Sequence, residues 1–168
     1  MKNLLLFILA SFIYSAGFAQ PEVAAGTNGN KSFVGFITKK DLVTEPSFTW
    51  YAQNQQNYTP DANALQALRT QKDSVYFLVF GGTWCDDTRN ILPKFFRLTE
   101  AAGMADDHIT LVGVDASKKT IHHLAEIFKI TNVPTIIVLK NGREVGRVIE
   151  YGKYGLFDKE LGELLARK

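Results

Sequence analysis

The chain has 168 residues, with 19 Lys or Arg and 17 Asp or Glu, which gives a formal net charge of +2. Acidic and basic residues are interspersed, so the sequence has neither the basic stripe that binds nucleic acid nor a polybasic patch for a membrane surface. It contains one cysteine, which excludes an intramolecular disulfide.

The first residues have the pattern of a secretory signal. Lys2 supplies the positive start, residues 4–14 form an apolar core, and Gly17-Phe18-Ala19 is a small-x-small cleavage site. The core is too short to span a bilayer comfortably, and no later stretch reaches about 18 apolar residues. We therefore expect a signal peptide over 1–19, a periplasmic or secreted protein, and no stable membrane insertion after cleavage; the alternative is an uncleaved N-terminal anchor.

Residues 20–46 are predicted to form a flexible leader and an N-terminal extension, since residues 21–30 are mostly small and polar. The aromatic-rich segment that follows is interrupted by Pro46, and it predicts a first strand near Phe48–Ala52. The remaining residues, 47–168, are assigned to one domain, which is long enough to bury a substantial core.

From Thr59 onward, helical and strand patterns alternate. Thr59-Pro60-Asp61 is a helix start, with Leu65 and Leu68 on one face. Ser74–Phe80 is a continuous apolar run, typical of a strand buried on both faces. Further elements are predicted in chain order: a helix over Asp86–Ala102, a strand over Ile109–Val114, a helix over about Lys118–Phe128, strands over Thr135–Leu139 and Glu144–Glu150 joined by an Asn141-Gly142 turn, and a closing helix over Leu156–Ala166.

The order β-α-β-α-β-β-α with one tight hairpin near the end predicts an α/β fold. Such an order gives a central mixed β-sheet flanked by helices on both faces.

Cys85 follows a predicted buried strand and opens a predicted helix, in the sequence Gly81-Gly82-Thr83-Trp84-Cys85. Amide groups at a helix N-terminus favour a thiolate, whereas the neighbouring charges of Asp86 and Asp87 oppose one. We expect a less acidic but more nucleophilic sulfur. The alternative is a buried, structural cysteine.

These residues resemble the thioredoxin superfamily over about residues 74–168. The matching features are the Trp84-Cys85 pair after a buried strand, Pro93 eight residues later, Val133-Pro134-Thr135 in the place of the cis-proline loop, the final hairpin over 135–145, and Gly152 after it. The resemblance implies a thioredoxin fold with an N-terminal extension, similar to a secreted subgroup of thioredoxin-like proteins.

The chain departs from the family pattern at two positions that act in the release of a mixed disulfide. The Cys-x-x-Cys motif is replaced by Cys85-Asp86-Asp87-Thr88, and Val79 stands where thioredoxins have a buried acid. Both changes affect release of a mixed disulfide by an internal thiol, so the resemblance implies a monothiol protein that needs an external resolving thiol. We predict Cys85 and Thr88 as catalytic residues; the Thr88 hydroxyl either donates to the Cys85 thiolate or bonds to the backbone.

The resemblance also implies a substrate-binding site at Trp84, Val133, Pro134 and Thr135. A cis bond before Pro134 would turn the Val133 backbone toward an extended substrate segment. Trp84 forms an apolar lip for that segment or packs on the sheet. Arg89 pairs with the nearby Asp86 or steers an anionic partner such as a glutathione-like carboxylate.

Neither a metal nor another cofactor is expected. His122 and His123 are adjacent, so on a helix they point in different directions and cannot chelate one ion as a pair. Gly81-Gly82 lacks the lysine of a phosphate-binding loop, and these glycines are expected to make room for the strand-to-helix turn.

The sequence therefore predicts thiol–disulfide exchange through Cys85 with a disulfide- or thiol-containing protein or a small thiol. An alternative from another class is a non-catalytic module, or holdase, that binds peptides in the cis-proline groove. A thiol peroxidase is a third alternative, in which Cys85 becomes a sulfenic acid. A disulfide-linked dimer through Cys85 stays open.

Overall fold

The computed structural model describes residues 22–25 and 31–167, so the predicted signal peptide over 1–19 lies outside the described residues. The strands are β1 (Glu22–Ala25), β2 (Lys31–Ile37), β3 (Val75–Gly81), β4 (Ile109–Gly113), β5 (Thr135–Lys140) and β6 (Arg143–Ile149). The helices are α1 (Lys39–Thr44), α2 (Trp50–Gln56), α3 (Ala62–Gln71), α4 (Asp86–Ala102), α5 (Leu124–Ile127) and α6 (Phe157–Ala166), with 3₁₀ turns at Asp106–His108 and Ile121–His123.

The described strands form one six-stranded mixed sheet in the order β1-β2-β4-β3-β5-β6. Strands β3 and β4 are parallel, and the other neighbours are antiparallel. The predicted α/β fold with a central mixed sheet flanked by helices is confirmed. The N-terminal extension is part of this sheet, because β2 pairs with β4.

Strand β3 lies in the middle of the sheet and carries the chain to the site. Its side chains at Val75, Phe77, Val79 and Phe80 are at most 1% exposed, as expected for an apolar run that is covered on both faces. At its carboxyl end, Phe80 pairs with Thr135, the first residue of β5. The loop after β3 and the loop before β5 therefore meet at one edge of the sheet.

Each face of the sheet has its own apolar core. The larger core joins the sheet to α3, α4 and α6 and includes the fully buried α4 side chains of Ile91, Leu92, Phe95 and Leu98. The smaller core contains Phe80, Val112, Val114, Ala125, Ile130, Val133 and Ile137, with Trp84, Cys85, Leu124 and Phe128 packed against it.

Helix α4 has the predicted bounds and stop signal. It ends at Gly103, which adopts a left-handed conformation with φ 72° and donates its N–H to Glu100 and Thr99. A residue without a Cβ takes this conformation at little cost, so Gly103 closes the helix that positions Cys85 at its other end.

The predicted strand near Phe48–Ala52 is wrong, because residues Trp50–Gln56 form helix α2. Tyr51 lies in the first turn of this helix and Phe48 two residues before it, and each is 5% exposed. Tyr51 packs against Phe96 of α4, with ring centroids 6.4 Å apart. The strand of the extension lies earlier, at β2.

The predicted helix over Lys118–Phe128 is also wrong in extent, since α5 covers only four residues. The backbone at Lys118, His122 and His123 has φ values of 59°, 52° and 55°, which interrupt a helix. Asp115 explains the local change: its Oδ1 accepts from the backbone N–H groups of Ser117 and Lys119. A side chain that bonds the nearby backbone in this way competes with helix formation.

The remaining predicted elements are present with small shifts. Asp61 is the N-cap of α3, its carboxylate accepting from two backbone N–H groups, so Pro60 precedes the helix rather than lying in its first turn. At the β5–β6 turn, Asn141 and Gly142 both have positive φ, 51° and 71°, which is the backbone of a two-residue type I′ turn.

Candidate functional site

Cys85 is the N-cap residue of α4, at the end of the loop that follows β3. Its φ and ψ of −88° and 128° are extended, and its carbonyl accepts the first helical hydrogen bond from Arg89, at 3.0 Å. Its own N–H donates to Gly82 at 2.8 Å, which closes the turn between strand and helix. The side chain is half-buried. The residue is thus held at the helix N-terminus by backbone bonds on both sides, with part of its surface open to solvent.

The sulfur of Cys85 faces the loop before β5. Its Sγ donates to the carbonyl oxygen of Val133 at 3.3 Å, across 48 residues of sequence. The peptide bond between Val133 and Pro134 is cis. The structure therefore brings together Cys85, Val133 and Pro134, three of the residues that the sequence analysis assigned to one site.

The loop that carries Pro134 is fixed from both sides. The hydroxyl of Thr135 donates to the Asn132 carbonyl at 2.7 Å, and Thr135 is 1% exposed. The Pro134 carbonyl accepts from the N–H of Glu150 at 2.7 Å, and the Glu150 carboxylate accepts from the Asn132 side chain at 2.8 Å. Thr135 therefore anchors this loop through its hydroxyl, and the carbonyl of Val133 is held toward the sulfur.

Trp84 lies over the glycine loop beside the thiol. Its indole N–H donates to the Val114 carbonyl at 2.9 Å, and the side chain is half-buried. A Cβ built on Gly82 would lie 2.6 Å from the indole, too close for any real contact. The absence of a side chain at Gly82 is therefore what lets the indole lie against the loop, as expected for the strand-to-helix turn.

Thr88, predicted as a catalytic residue with Cys85, bonds to the backbone of the loop. Its side chain is fully buried, and its hydroxyl accepts from the backbone N–H of Gly82 at 3.2 Å. Of the two alternatives for this residue, the bond to the backbone is the one present. Thr88 thus holds the turn that presents the sulfur of Cys85.

Thr83 is a residue of the site that the sequence analysis did not find. It is 1% exposed, and its hydroxyl accepts from the N–H of Phe33 at 3.1 Å and donates to the Lys31 carbonyl at 3.3 Å. These bonds tie the active-site loop to strand β2 of the extension. A pairing partner 50 residues away leaves no local signal in the sequence.

Arg89 also fixes the loop from the helix. Its Nε donates to the Thr83 carbonyl at 2.8 Å, and its Nη1 lies 3.4 Å from a carboxylate oxygen of Asp86. The Asp86 side chain is 96% exposed, so this predicted ion pair is solvated and weak.

The described residues contain no cluster of three or more His, Cys, Asp or Glu side chains that could hold a metal ion. His122 and His123 are both exposed on the irregular segment before α5. Across 22–25 and 31–167, we find no helix with the length and apolarity needed to cross a membrane.

The arrangement is suited to covalent chemistry at sulfur. The thiol of a half-buried residue at a helix N-terminus can meet an incoming disulfide, with a backbone carbonyl beside it that accepts hydrogen bonds. A dithiol enzyme has a buried acid and a second cysteine that release its product. At those two positions this chain has Val79, which is apolar and fully buried, and Thr88, whose hydroxyl accepts from the N–H of Gly82.

Comparison with known proteins agrees with this geometry. The thioredoxin family model matches residues 55–159. A thioredoxin of Echinococcus granulosus is 29% identical over 96 residues, which cover 57% of this chain and 83% of the relative. A thioredoxin of Alicyclobacillus acidocaldarius subsp. acidocaldarius is 30% identical over 107 residues, which cover 62% of this chain and 93% of that one.

A solved structure of similar fold comes from Pseudomonas aeruginosa, a protein described as of unknown function. It has a TM-score of 0.54 and 17% identity, covering 79% of this chain and 91% of the other, and it supports the fold alone. The family model spans more than half of the chain, including Cys85 and the Val133–Pro134 loop. The protein belongs to the thioredoxin family of thiol–disulfide oxidoreductases.

Proposed function

We propose that this protein carries out thiol–disulfide exchange through the single sulfur of Cys85 and that an external thiol completes each cycle. The observation that carries the proposal is the position of Cys85, a half-buried residue at the N-terminus of α4 with its sulfur 3.3 Å from the Val133 carbonyl. The family supplies the reaction class, because thioredoxins act on thiol and disulfide substrates.

The single-cysteine mechanism rests on what surrounds that sulfur. The chain has no second cysteine, and the position three residues later is Thr88, whose hydroxyl is engaged by Gly82. Val79, at the position of the buried acid, is fully buried and carries no proton to transfer. An internal resolving step therefore has neither its nucleophile nor its acid.

The exchange proceeds in two balanced steps. The Cys85 thiolate attacks one sulfur of a disulfide, so that a bond forms to Cys85 while the original S–S bond breaks and the other sulfur leaves as a thiolate. An external thiolate then attacks the mixed disulfide, forms a new disulfide with the bound group, and returns Cys85 as a thiolate. A substrate segment would pair with the Val133 backbone during the first step.

The test compares the protein with Cys85→Ser, using a peptide that carries a mixed disulfide with a small thiol and a fluorescent reporter. We expect exchange with added thiol in the natural protein, accumulation of a Cys85 adduct when the added thiol is left out, and neither in Cys85→Ser. Unchanged activity in Cys85→Ser would reject the proposal. Because the chain has one cysteine, maleimide labelling reports on Cys85 alone, and labelling no faster than that of a free small thiol would favour the peptide-binding module.

We propose further that the protein is exported and that residues 1–19 are removed. The support is the sequence pattern alone: a positive start, an apolar core and a small-x-small site before Gln20. Fractionation of cells that express the full chain, with N-terminal sequencing of the product, tests this. Recovery of a cytoplasmic protein that keeps its first 19 residues would contradict it.

A further inference from the structure

A cleft of about 420 Å³ lies between residues 47–54 and the first turn of α4. Its lining residues are Ser47, Phe48, Thr49, Trp50, Asn54, Asp86 and Arg89. Five of these residues belong to α2 and the segment just before it, and two belong to the active-site helix. The cleft is therefore formed where α2 and its preceding segment fold against the helix that carries Cys85.

Arg89 is the one basic residue in the lining, and its position is fixed. Its Nε is held by the Thr83 carbonyl, two residues before Cys85, and its side chain is 23% exposed. The guanidinium has five N–H donors, and the bonds to Thr83 and Asp86 use two of them. The remaining donors are available to a planar anion such as a carboxylate, which a guanidinium binds through two parallel hydrogen bonds.

The other charges around the cleft leave this cation available. Asp86 is 96% exposed and lies 3.4 Å from the guanidinium, so water screens the pair. Glu45, which binds Ser47 at the rim, is already paired with Lys31 at 2.8 Å. Thr49 adds a hydroxyl at the N-terminus of α2 and makes no side-chain cap bond there.

We propose that this cleft binds the carboxylate of a small, carboxylate-bearing thiol, which serves as the external resolving thiol for Cys85. The inference rests on the proposed function, and it adds the chemical class of the second substrate. Arg89 is one helical turn after Cys85, and its Nε binds the carbonyl of Thr83, two residues before Cys85. Asp86, the residue after Cys85, also lines the cleft, so a carboxylate bound there lies at the same end of α4 as the sulfur.

The proposed site gives Cys85 a preference for anionic disulfides, which is opposite to the preference that the nearby acids alone would give. Asp86 and Asp87 lie in the first turn of α4 beside the sulfur, and their charges repel anions and attract cations. Without the cleft, a cationic disulfide would react fastest with Cys85. A preference for an anionic disulfide therefore identifies the contribution of Arg89.

The test uses three small disulfides of similar size: dithiodipropionate, which is anionic, bis(hydroxyethyl) disulfide, which is neutral, and cystamine, which is cationic. Formation of the Cys85 adduct is followed by mass spectrometry at low and high salt. We expect the anionic probe to react at least about threefold faster than the cationic one, with the ratio falling as salt rises. Arg89→Gln should reverse the order of the anionic and cationic probes. Because it also removes the bond to Thr83, each rate is divided by the rate of the neutral probe with the same variant.

Two further variants separate charge in the cleft from other effects. Thr49→Asp leaves Arg89 and its bond to Thr83 in place and adds an anion to the lining, so it should slow the anionic probe relative to the neutral one. Lys129→Gln removes an exposed cation outside the cleft, next to Phe128 in the smaller core, and should leave the order unchanged.

The outcomes distinguish the two proposals. If all three probes react at equal rates, or cystamine reacts fastest with the natural protein, the cleft is not a carboxylate site, while exchange through Cys85 stands. If Lys129→Gln changes the order as strongly as Arg89→Gln, the effect is one of net charge and the cleft proposal fails. If none of the probes forms an adduct with Cys85, the proposed function itself is wrong.

Discussion

The sulfur of Cys85 and the carbonyl oxygen of Val133 are hydrogen-bonded at 3.3 Å, which joins the cap of α4 to the residue before Pro134. When another sulfur is bonded to Cys85, the thiol no longer has the proton that it donates in this bond. The Val133 carbonyl then needs another donor, and the backbone N–H of an extended substrate segment is one of suitable geometry. One contact thus links the reacting atom to the backbone that would hold its partner.

Installing a sulfur at position 88 should restore an internal resolving step. Thr88 lies one helical turn after Cys85 on the same loop-facing side of α4, with its hydroxyl at Gly82. In Thr88→Cys, the new thiol is at high effective concentration next to the mixed disulfide, so the lifetime of the adduct without added thiol should fall at least about tenfold.

Thr88→Ser is the control for that variant, because it keeps the hydroxyl that accepts from Gly82 and adds no sulfur. Its adduct should be as long-lived as that of the natural protein. Intact-mass spectrometry over time measures both. Equal adduct lifetimes in Thr88→Cys and Thr88→Ser would show that position 88 does not reach the sulfur of Cys85.

Tyr51, which is buried, and Tyr58, which is half-buried, should respond in opposite ways to loss of their hydroxyls. The Tyr58 hydroxyl donates to the buried carboxylate of Asp158 at 2.6 Å, whereas that of Tyr51 has no hydrogen-bond partner among the described residues. Tyr58→Phe should lower the free energy of unfolding by about 1–3 kcal/mol, since it leaves a buried acceptor short of a donor. Tyr51→Phe should be neutral or stabilising. Urea denaturation at neutral pH measures both, and equal losses would contradict the assignment.

The hydrogen bond between Tyr58 and Asp158 should also make the free energy of unfolding fall at alkaline pH. Burial and, after it, the hydrogen bond to Asp158 raise the pKa of Tyr58 above its ordinary value. The protonated hydroxyl therefore stabilises the fold fully below the unfolded pKa of about 10, and this contribution is lost as the pH rises beyond it. Tyr58→Phe should show a smaller loss of stability above about pH 10 than the natural protein.

The local part of the site is predictable from sequence, and the part built by the extension is not. The order of strand, glycine turn, Cys85 and helix is written in adjacent residues, and the structure has α4 at the predicted bounds. The bonds from Thr83 to Lys31 and Phe33 join residues about 50 positions apart. Such a pairing is decided by tertiary packing, and so is the contact between α2 and α4 that forms the cleft beside Arg89, so neither could be found from the residues alone.

The two elements that were wrongly predicted fail for different physical reasons. The aromatic residues Phe48 and Tyr51 have high strand propensity, but Tyr51 packs against Phe96 of α4 from a helix, and Phe48 packs on Phe33 and Trp50 just before that helix. Over residues 118–128, apolar spacing favours a helix, but the Asp115 carboxylate captures the backbone N–H groups where that helix would begin. In one segment a tertiary contact overrides propensity, and in the other a local side-chain bond does.

The hairpin that follows the Pro134 loop should lose stability in acid through one ion pair. Glu144 and Arg147 make two hydrogen bonds of 2.6 Å each, and the bond to Arg147 lowers the pKa of Glu144. A lowered carboxyl pKa stabilises the fold above the unfolded value of about 4.3, and the effect is lost as the pH falls through the folded value.

Glu144→Gln should therefore lower the free energy of unfolding at neutral pH by about 0.2–1 kcal/mol, as for other partly exposed pairs. The difference from the natural protein should shrink progressively below about pH 4. Denaturation at a series of pH values measures it, with Asp107→Asn as the control for removing one exposed carboxylate. A difference that persists at pH 2 would show that Glu144 acts through packing rather than charge.

Gly82 should tolerate no side chain while Trp84 keeps its place. A Cβ at Gly82 would lie 2.6 Å from the indole, so Gly82→Ala must displace the ring and with it the 2.9 Å bond from the indole N–H to Val114. We expect a loss of about 1–3 kcal/mol in the free energy of unfolding, a shift in tryptophan fluorescence, and a changed rate of Cys85 alkylation. In a Trp84→Ala background the same substitution has no ring to displace, so its cost should fall below about 1 kcal/mol. If Gly82→Ala costs the same in both backgrounds, the glycine is required by the turn itself and not by the indole that covers it.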